Sequence, residues 1–111
     1  MYRKVPAVAQ LLGLVKQIFR YPVKSMMGEE LATAELGWHG LDGDRRFAFQ
    51  RVGDMSGFPW LTAGKLPSLL QYRPAYPKPN APGPQVRIIT PAGEELAGDS
   101  ELLRERVSAA S

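Results

Sequence analysis

Phe47-Ala48-Phe49-Gln50-Arg51-Val52, followed by Gly53-Asp54-Met55-Ser56-Gly57 and then Phe58-Pro59-Trp60, decides the fold class. Phe47 and Phe49 fall on one face of an extended chain and Ala48 and Gln50 on the other, the period of two that marks a half-buried strand with its phenyl rings inward. A glycine-bounded loop between two aromatic runs predicts a β-hairpin. Outward from it, further short apolar runs separated by Gly, Pro and Asp predict strands at 13–20, 31–36, 59–62, 69–73 and 86–90, with 47–52 itself as the third. Residues 74–84 hold five prolines in eleven residues. Their missing amides exclude a central strand and predict an exposed connector. Asp99 as N-cap and an apolar stripe of Leu102, Leu103 and Val107 predict a short amphipathic helix over 101–108. The fold class expected is mainly β, a small β-barrel or strongly curved, mostly antiparallel sheet with one short C-terminal helix. Closure into a barrel also removes exposed sheet edges.

A chain of 111 residues predicts a single domain spanning 1–111 with one modest core. Hydrophobic residues at 44% and charged residues at 23% exclude a disordered chain. The net charge of +3 is far from the dense basic stripe of a nucleic-acid binder, so nucleic acid is not an expected partner. Before Glu29 there are five basic residues, Arg3, Lys4, Lys16, Arg20 and Lys24, and no acidic one, giving the first quarter a local positive field. The absence of cysteine excludes disulfides, thiolate metal ligands and thiol nucleophiles, and favours a cytoplasmic setting. Ala7-Val8-Ala9 precedes the end of the apolar run instead of following it, unlike a secretory cleavage site, and no stretch is long enough to span a bilayer.

Two blocks gather basic and hydroxyl groups in turns, Tyr21-Pro22-Val23-Lys24-Ser25 leading to Gly28, and Gly40-Leu41-Asp42-Gly43-Asp44-Arg45-Arg46. Pro22 sets a turn or strand end, Lys24 supplies a point charge, Ser25 a hydroxyl and amide, Gly28 room for close backbone approach, and Arg45 a bidentate fork. Together they suit an oxyanion such as phosphate. The plain alternative is that a Lys and an Arg at strand ends are simply solvated. Asp44 is read as a turn residue accepting backbone N–H groups. His39, the single histidine, has no ligand-spaced Asp, Glu or Cys around it, so no metal site is expected. No serine has a histidine partner, and Glu29 and Glu30 point to opposite strand faces, so no catalytic residue is assigned. Trp38, Phe58, Trp60, Tyr72, Tyr76 and Met26-Met27 are read as core or core-edge packing.

Tyr21-Pro22-Val23-Lys24-Ser25, Gly28, Gly40-Leu41, Asp44-Arg45, Leu61-Thr62-Ala63, Pro67-Ser68-Leu69-Leu70, Pro91-Ala92-Gly93 and Asp99 stand in an order that resembles the N-terminal β-barrel domain preceding MOSC domains, over about residues 12–107. The resemblance implies an accessory domain of a molybdenum cofactor-binding or sulfur-handling protein. Lys24, Ser25 and Arg45 would contact the phosphate or pterin part of the cofactor, molybdopterin. It further implies that the cofactor is shared with a MOSC domain, which is absent from these residues, along with the cysteine expected there. Catalysis by this chain alone is not expected. In the family the Thr-Ala pair is usually followed by Arg; here Gly64 and Lys65 follow, with Lys65 a displaced substitute.

The MOSC partner would lie either in the same longer protein or on a separate chain. A second reading, from a different class, is a structural or protein-interaction module without its own ligand, whose two blocks only stabilise turns and which acts as a homo-oligomer or with a partner chain.

Overall fold

A computed structural model describes residues 11–111. Arg3, Lys4 and the Ala7-Val8-Ala9 triplet lie outside the described residues. The architecture is mainly β, as the alternation and turn pattern predict. Strand β1 (Ile18–Arg20) pairs antiparallel with β2 (Glu29–Leu31), β3 (Leu36–Gly37) with β4 (Gly40–Leu41), and β5 (Arg73–Ala75), β6 (Arg87–Ile89) and β7 (Glu95–Ala97) form a three-stranded antiparallel meander. Helix α1 (Glu101–Ala110) follows. The strands form three small separate sheets, and no closed barrel forms among the described residues. No described helix is long and apolar enough to cross a membrane.

The core joins Val23, Met26, Leu61, Leu66, Leu69, Tyr72, Tyr76, Val86, Ile88, Leu103 and Val107, with Phe47, Phe49 and Leu96 packed against it. The expected strands 47–52 and 59–62 do not form; the two runs turn back on each other through a single antiparallel Gln50–Trp60 bridge, with Arg51 N–H donating to Pro59 O at 2.6 Å and Leu61 N–H to Phe49 O at 2.8 Å. Pro59 has no N–H to return, which keeps the pairing to an isolated bridge. The phase also holds, since Phe47 and Phe49 are half-buried while Ala48 and Gln50 are exposed. Pro74 sits in β5 opposite Ile88, and β5 tolerates it because it is the edge of its sheet.

Several expected elements are corrected. Residues 69–73 do not form a strand: Pro67 opens a 3-10 turn (Pro67–Gln71), and the chain becomes extended only at Arg73. Leu66, Leu69 and Tyr72, all buried, are spaced by three, the period of that tighter helix. The 31–36 run splits, with Leu31 ending β2 and Leu36 beginning β3. The 13–20 run shortens to Ile18–Arg20, leaving Leu14 and Val15 exposed. Strand β7, too short for its own periodicity to show, exists because Gly93 at φ +91° turns the chain back, its N–H bonded to Thr90 O at 2.9 Å. The N-cap of α1 is Ser100, whose Oγ accepts from Leu103 N–H at 3.1 Å, rather than Asp99. Leu103 and Val107 face the core and Leu102 is exposed.

Of the aromatic residues read as core, Tyr72 and Tyr76 are buried, whereas Phe58 and Trp60 stay half-exposed and Trp38 is fully exposed in the β3–β4 turn. Met26 is buried and Met27 is not.

Arg20 does not contribute to a surface field. Only 2% exposed, it pairs with Glu29, and its Nη1 donates to Asp42 O at 3.2 Å and Pro79 O at 3.0 Å. Its guanidinium lies 4.7 Å from the Tyr76 ring centroid. One cation therefore ties β1 to β2, to the 42–45 turn and to the proline-rich connector, which is thereby strapped down at Pro79.

Burial holds the Tyr76 phenol above its ordinary value of 10.0, with the positive charges of Arg46 and Arg20 acting in the opposite direction. Its O–H also donates to Gly43 O at 2.7 Å, a bond only the neutral form makes. The unfolded phenol ionises first, so this stabilisation is full below about pH 10 and is lost as pH rises through the higher folded value. Tyr76 is expected to ionise late and together with alkaline unfolding. A phenolate absorbance titration should show a late component that Tyr76→Phe removes; a late part left unchanged by Tyr76→Phe would contradict it.

Candidate functional site

The two sequence blocks meet along their backbones. Arg45 N–H donates to Tyr21 O at 2.6 Å, Arg46 N–H and Phe47 N–H both donate to Pro22 O at 3.1 Å, and Lys24 N–H donates to Phe47 O at 2.8 Å, with Val23 and Phe47 in a parallel bridge. Pro22, buried and without an N–H, offers only its carbonyl, so the second block hangs from it. Asp44 holds the junction as expected: one carboxylate oxygen accepts Tyr21 N–H at 2.7 Å and the other pairs with the Arg45 guanidinium.

Ser25 at φ +68° and Arg45 at φ +50° are the only non-glycine residues in left-handed backbone among those described. Each such residue costs about 1–2 kcal/mol. The strain falls on two of the three residues singled out from the sequence and on opposite sides of one backbone junction.

Lys24 is exposed, has no carboxylate partner among the described residues, and holds its Nζ 5.7 Å from the Phe58 ring centroid. Ser25 is half-buried. The Arg45 side chain is 68% exposed and stacks 5.4 Å from the Tyr21 ring centroid, so donors remain free beyond the one Asp44 engages. Gly28 has a different role from the one expected: a Cβ there would lie 2.7 Å from Tyr21 Cε1, so its missing side chain seats the ring beneath Arg45.

Two residues need the fold to be placed. Phe58, read as core packing, is a half-exposed ring beside Lys24, and Lys65 brings its Nζ to 5.7 Å from the same centroid. The unusual Gly64-Lys65 after Thr62-Ala63 was the only sequence signal for Lys65. Other charged side chains near the two blocks have structural partners. Arg46 pairs with Asp42, Glu29 turns inward to Arg20, and Glu30 outward to Gln17 at 3.4 Å. His39 is exposed, and no group of three His, Cys, Asp or Glu that would hold a metal occurs among the described residues.

A hollow of about 830 Å³ lies elsewhere, between residues 47–52, residues 84–88 and α1, floored by Val23, Phe47, Phe49, Leu61 and Val107. None of Lys24, Ser25 or Arg45 lines it. It is an open edge of the hydrophobic core and lacks the unpaired cations of the Lys24 junction, its Arg51 and Arg104 being paired with Asp54 and Glu101.

No curated protein and no solved structure matches the chain. The family described as MOSC N-terminal beta barrel domain matches residues 12–110, a span that takes in β1 through α1 and both blocks of the junction. The chain belongs to the MOSC N-terminal beta barrel domain family.

Proposed function

We propose that this domain is the accessory part of a MOSC-type molybdenum cofactor-binding or sulfur-handling protein, and that Lys24, Ser25 and Arg45 hold the anionic phosphate or pterin end of the cofactor. The single observation behind this reading is the coincidence of left-handed backbone at Ser25 and Arg45 with one junction beside an unpaired Lys24. Strain of this kind persists where surrounding structure over-determines it, often to aim groups at a ligand.

The donor set fits a phosphate: one ammonium, one hydroxyl and a guanidinium with donors to spare. The set does not fit the metal, because no cysteine is present and the junction offers no imidazole. The metal ligand would come from a MOSC domain in the same longer protein or on a separate chain. When bound, the cofactor would supply the redox or sulfur-transfer chemistry. The residues of this chain bind and orient its charged end, and the domain is not catalytic by itself. The same reading puts the protein in the cytoplasm, in keeping with a chain free of cysteine.

Lys24→Ala and Arg45→Ala are each expected to remove most of the thermal stabilisation that molybdopterin gives the wild-type chain, while leaving the unliganded midpoint within a few degrees, since both side chains are exposed. A molybdopterin-induced shift that survives both substitutions would rule out this site.

A further inference from the structure

We infer that Lys65 is a second cation of the Lys24 site, the two ammonium groups gathered at the Phe58 ring to take one phosphoryl group carrying two negative charges. This rests on the reading of Lys24 as an anion contact and adds a residue to it.

Both Nζ atoms lie 5.7 Å from one ring centroid, so they are no more than about 11 Å apart, twice that distance. At most that far apart, they leave an anion midway between them within the Debye length of about 8 Å of each at physiological ionic strength, so it feels both. Both lysines are exposed on flexible four-carbon stems and can close on a ligand by rotamer change. Their bases do not move with them. Lys65 leaves a turn in which its own N–H and that of Leu66 donate to Thr62 O at 3.0 and 2.9 Å, anchored by buried Leu66 and Leu69. Lys24 is fixed by its bond to Phe47 O.

The ring that both ammonium groups approach is also positioned. Asp54 accepts Ser56 N–H at 2.8 Å, and Ser56 Oγ accepts Phe58 N–H at 3.3 Å, which wires the hairpin loop up to the ring. Asp54 is the acidic group nearest in this loop, and it is occupied: Arg51 pairs with it at 3.1 Å, and its hydrogen bonds with Ser56, ahead of the Arg51 and Lys65 charges, hold its carboxyl below the ordinary value. Neither lysine has a carboxylate partner among the described residues. Two cations without a salt-bridge partner among the described residues, gathered at one half-exposed ring, favour a multivalent anion over a monovalent one.

The test is calorimetric titration of the full chain with inorganic phosphate and, separately, with molybdopterin, using wild type, Lys65→Ala, Lys24→Ala and Lys65→Arg. Lys65→Ala is expected to weaken binding of both probes about tenfold, much as Lys24→Ala does, with Lys65→Arg restoring most of it. Loss for molybdopterin together with loss for phosphate identifies the phosphoryl group as the shared element. Unchanged binding in Lys65→Ala alongside weakened binding in Lys24→Ala would overturn the role of Lys65 and leave the Lys24 reading standing. Absence of binding of either probe to wild type would overturn both. Because Lys65 is exposed, its variants should unfold at the wild-type midpoint, which separates loss of ligand from loss of fold.

Discussion

Arg20→Ala is expected to lower the unfolding free energy by about 3–5 kcal/mol, a large share of the roughly 5–15 kcal/mol that holds a domain of this size together. The side chain is 2% exposed and its partner Glu29 12%, so the ion pair is little weakened by solvent. Removing the guanidinium leaves a carboxylate buried without its counter-charge. It also strips a donor from Asp42 O and Pro79 O, and the Glu29 Oε2 atom already has no partner. A neighbouring hollow of about 100 Å³, lined by residues 33–35, Asp42 and parts of the proline-rich connector, has room for water to serve some of these groups, which sets the expectation nearer 3 than 5 kcal/mol. Equilibrium unfolding in urea at neutral pH measures it. The double variant Arg20→Met/Glu29→Leu should regain part of the loss, because it removes the stranded charge but not the two orphaned carbonyls. A loss in Arg20→Ala below about 1 kcal/mol would mean that water replaces the guanidinium and that Arg20 is not the tie between these segments.

How far the sequence reveals this fold depends on the range of the interactions involved. The 47–61 hairpin was legible because alternation at Phe47 and Phe49 and glycines at both loop ends are local signals, and their consequences are local too. Asp44 as a backbone acceptor was legible for the same reason. The 3-10 turn at Pro67–Gln71 is not legible in the sequence, because apolar residues spaced by three within seven positions look like an interrupted strand unless Pro67 is weighted as a helix start. Arg20 was hidden entirely: its four ties involve residues 9 to 59 positions away, and nothing in an Arg between Phe19 and Tyr21 marks it as buried. The junction of the two blocks was inferred from residue types, but only the fold brings Arg45 N–H to Tyr21 O and Lys65 to the ring beside Lys24. Family resemblance carried Lys24, Ser25 and Arg45 together. It pointed to Lys65 only as a displaced substitute for the Arg that follows the Thr-Ala pair in the family, and only the fold sets it beside the ring that Lys24 approaches.

Gly43→Ala is expected to cost about 2–4 kcal/mol, the largest effect of any single methyl addition in the turn that presents Arg45. Two causes add. The residue sits at φ +86°, where a Cβ costs roughly 1–2 kcal/mol, and that Cβ would lie 2.9 Å from both Tyr76 Cε2 and Pro82 Cβ. Neither neighbour can give way easily. Tyr76 is buried under the Arg20 guanidinium with its O–H bonded to Gly43 O, and Pro82 lies in the connector that Arg20 straps at Pro79. Gly53→Ala is the matched control, since Gly53 has φ +79° and nothing within 4 Å of its added Cβ, so it reports the backbone term alone. The difference between the two midpoints isolates the steric part, and equal losses would show that the Tyr76–Pro82 contact contributes nothing. The pair also tests whether the core and the site are coupled. Gly43 is followed directly by Asp44, which bonds Tyr21 N–H, and by strained Arg45. A shift of the turn away from Tyr76 must therefore move Arg45 relative to Lys24. Gly43→Ala should then reduce the thermal stabilisation by molybdopterin beyond its effect on the unliganded chain, and Gly53→Ala should not. Equal ligand-induced shifts in both variants would show that the junction tolerates displacement of the turn, and that Arg45 finds its place through its own side chain instead of through the backbone that carries it.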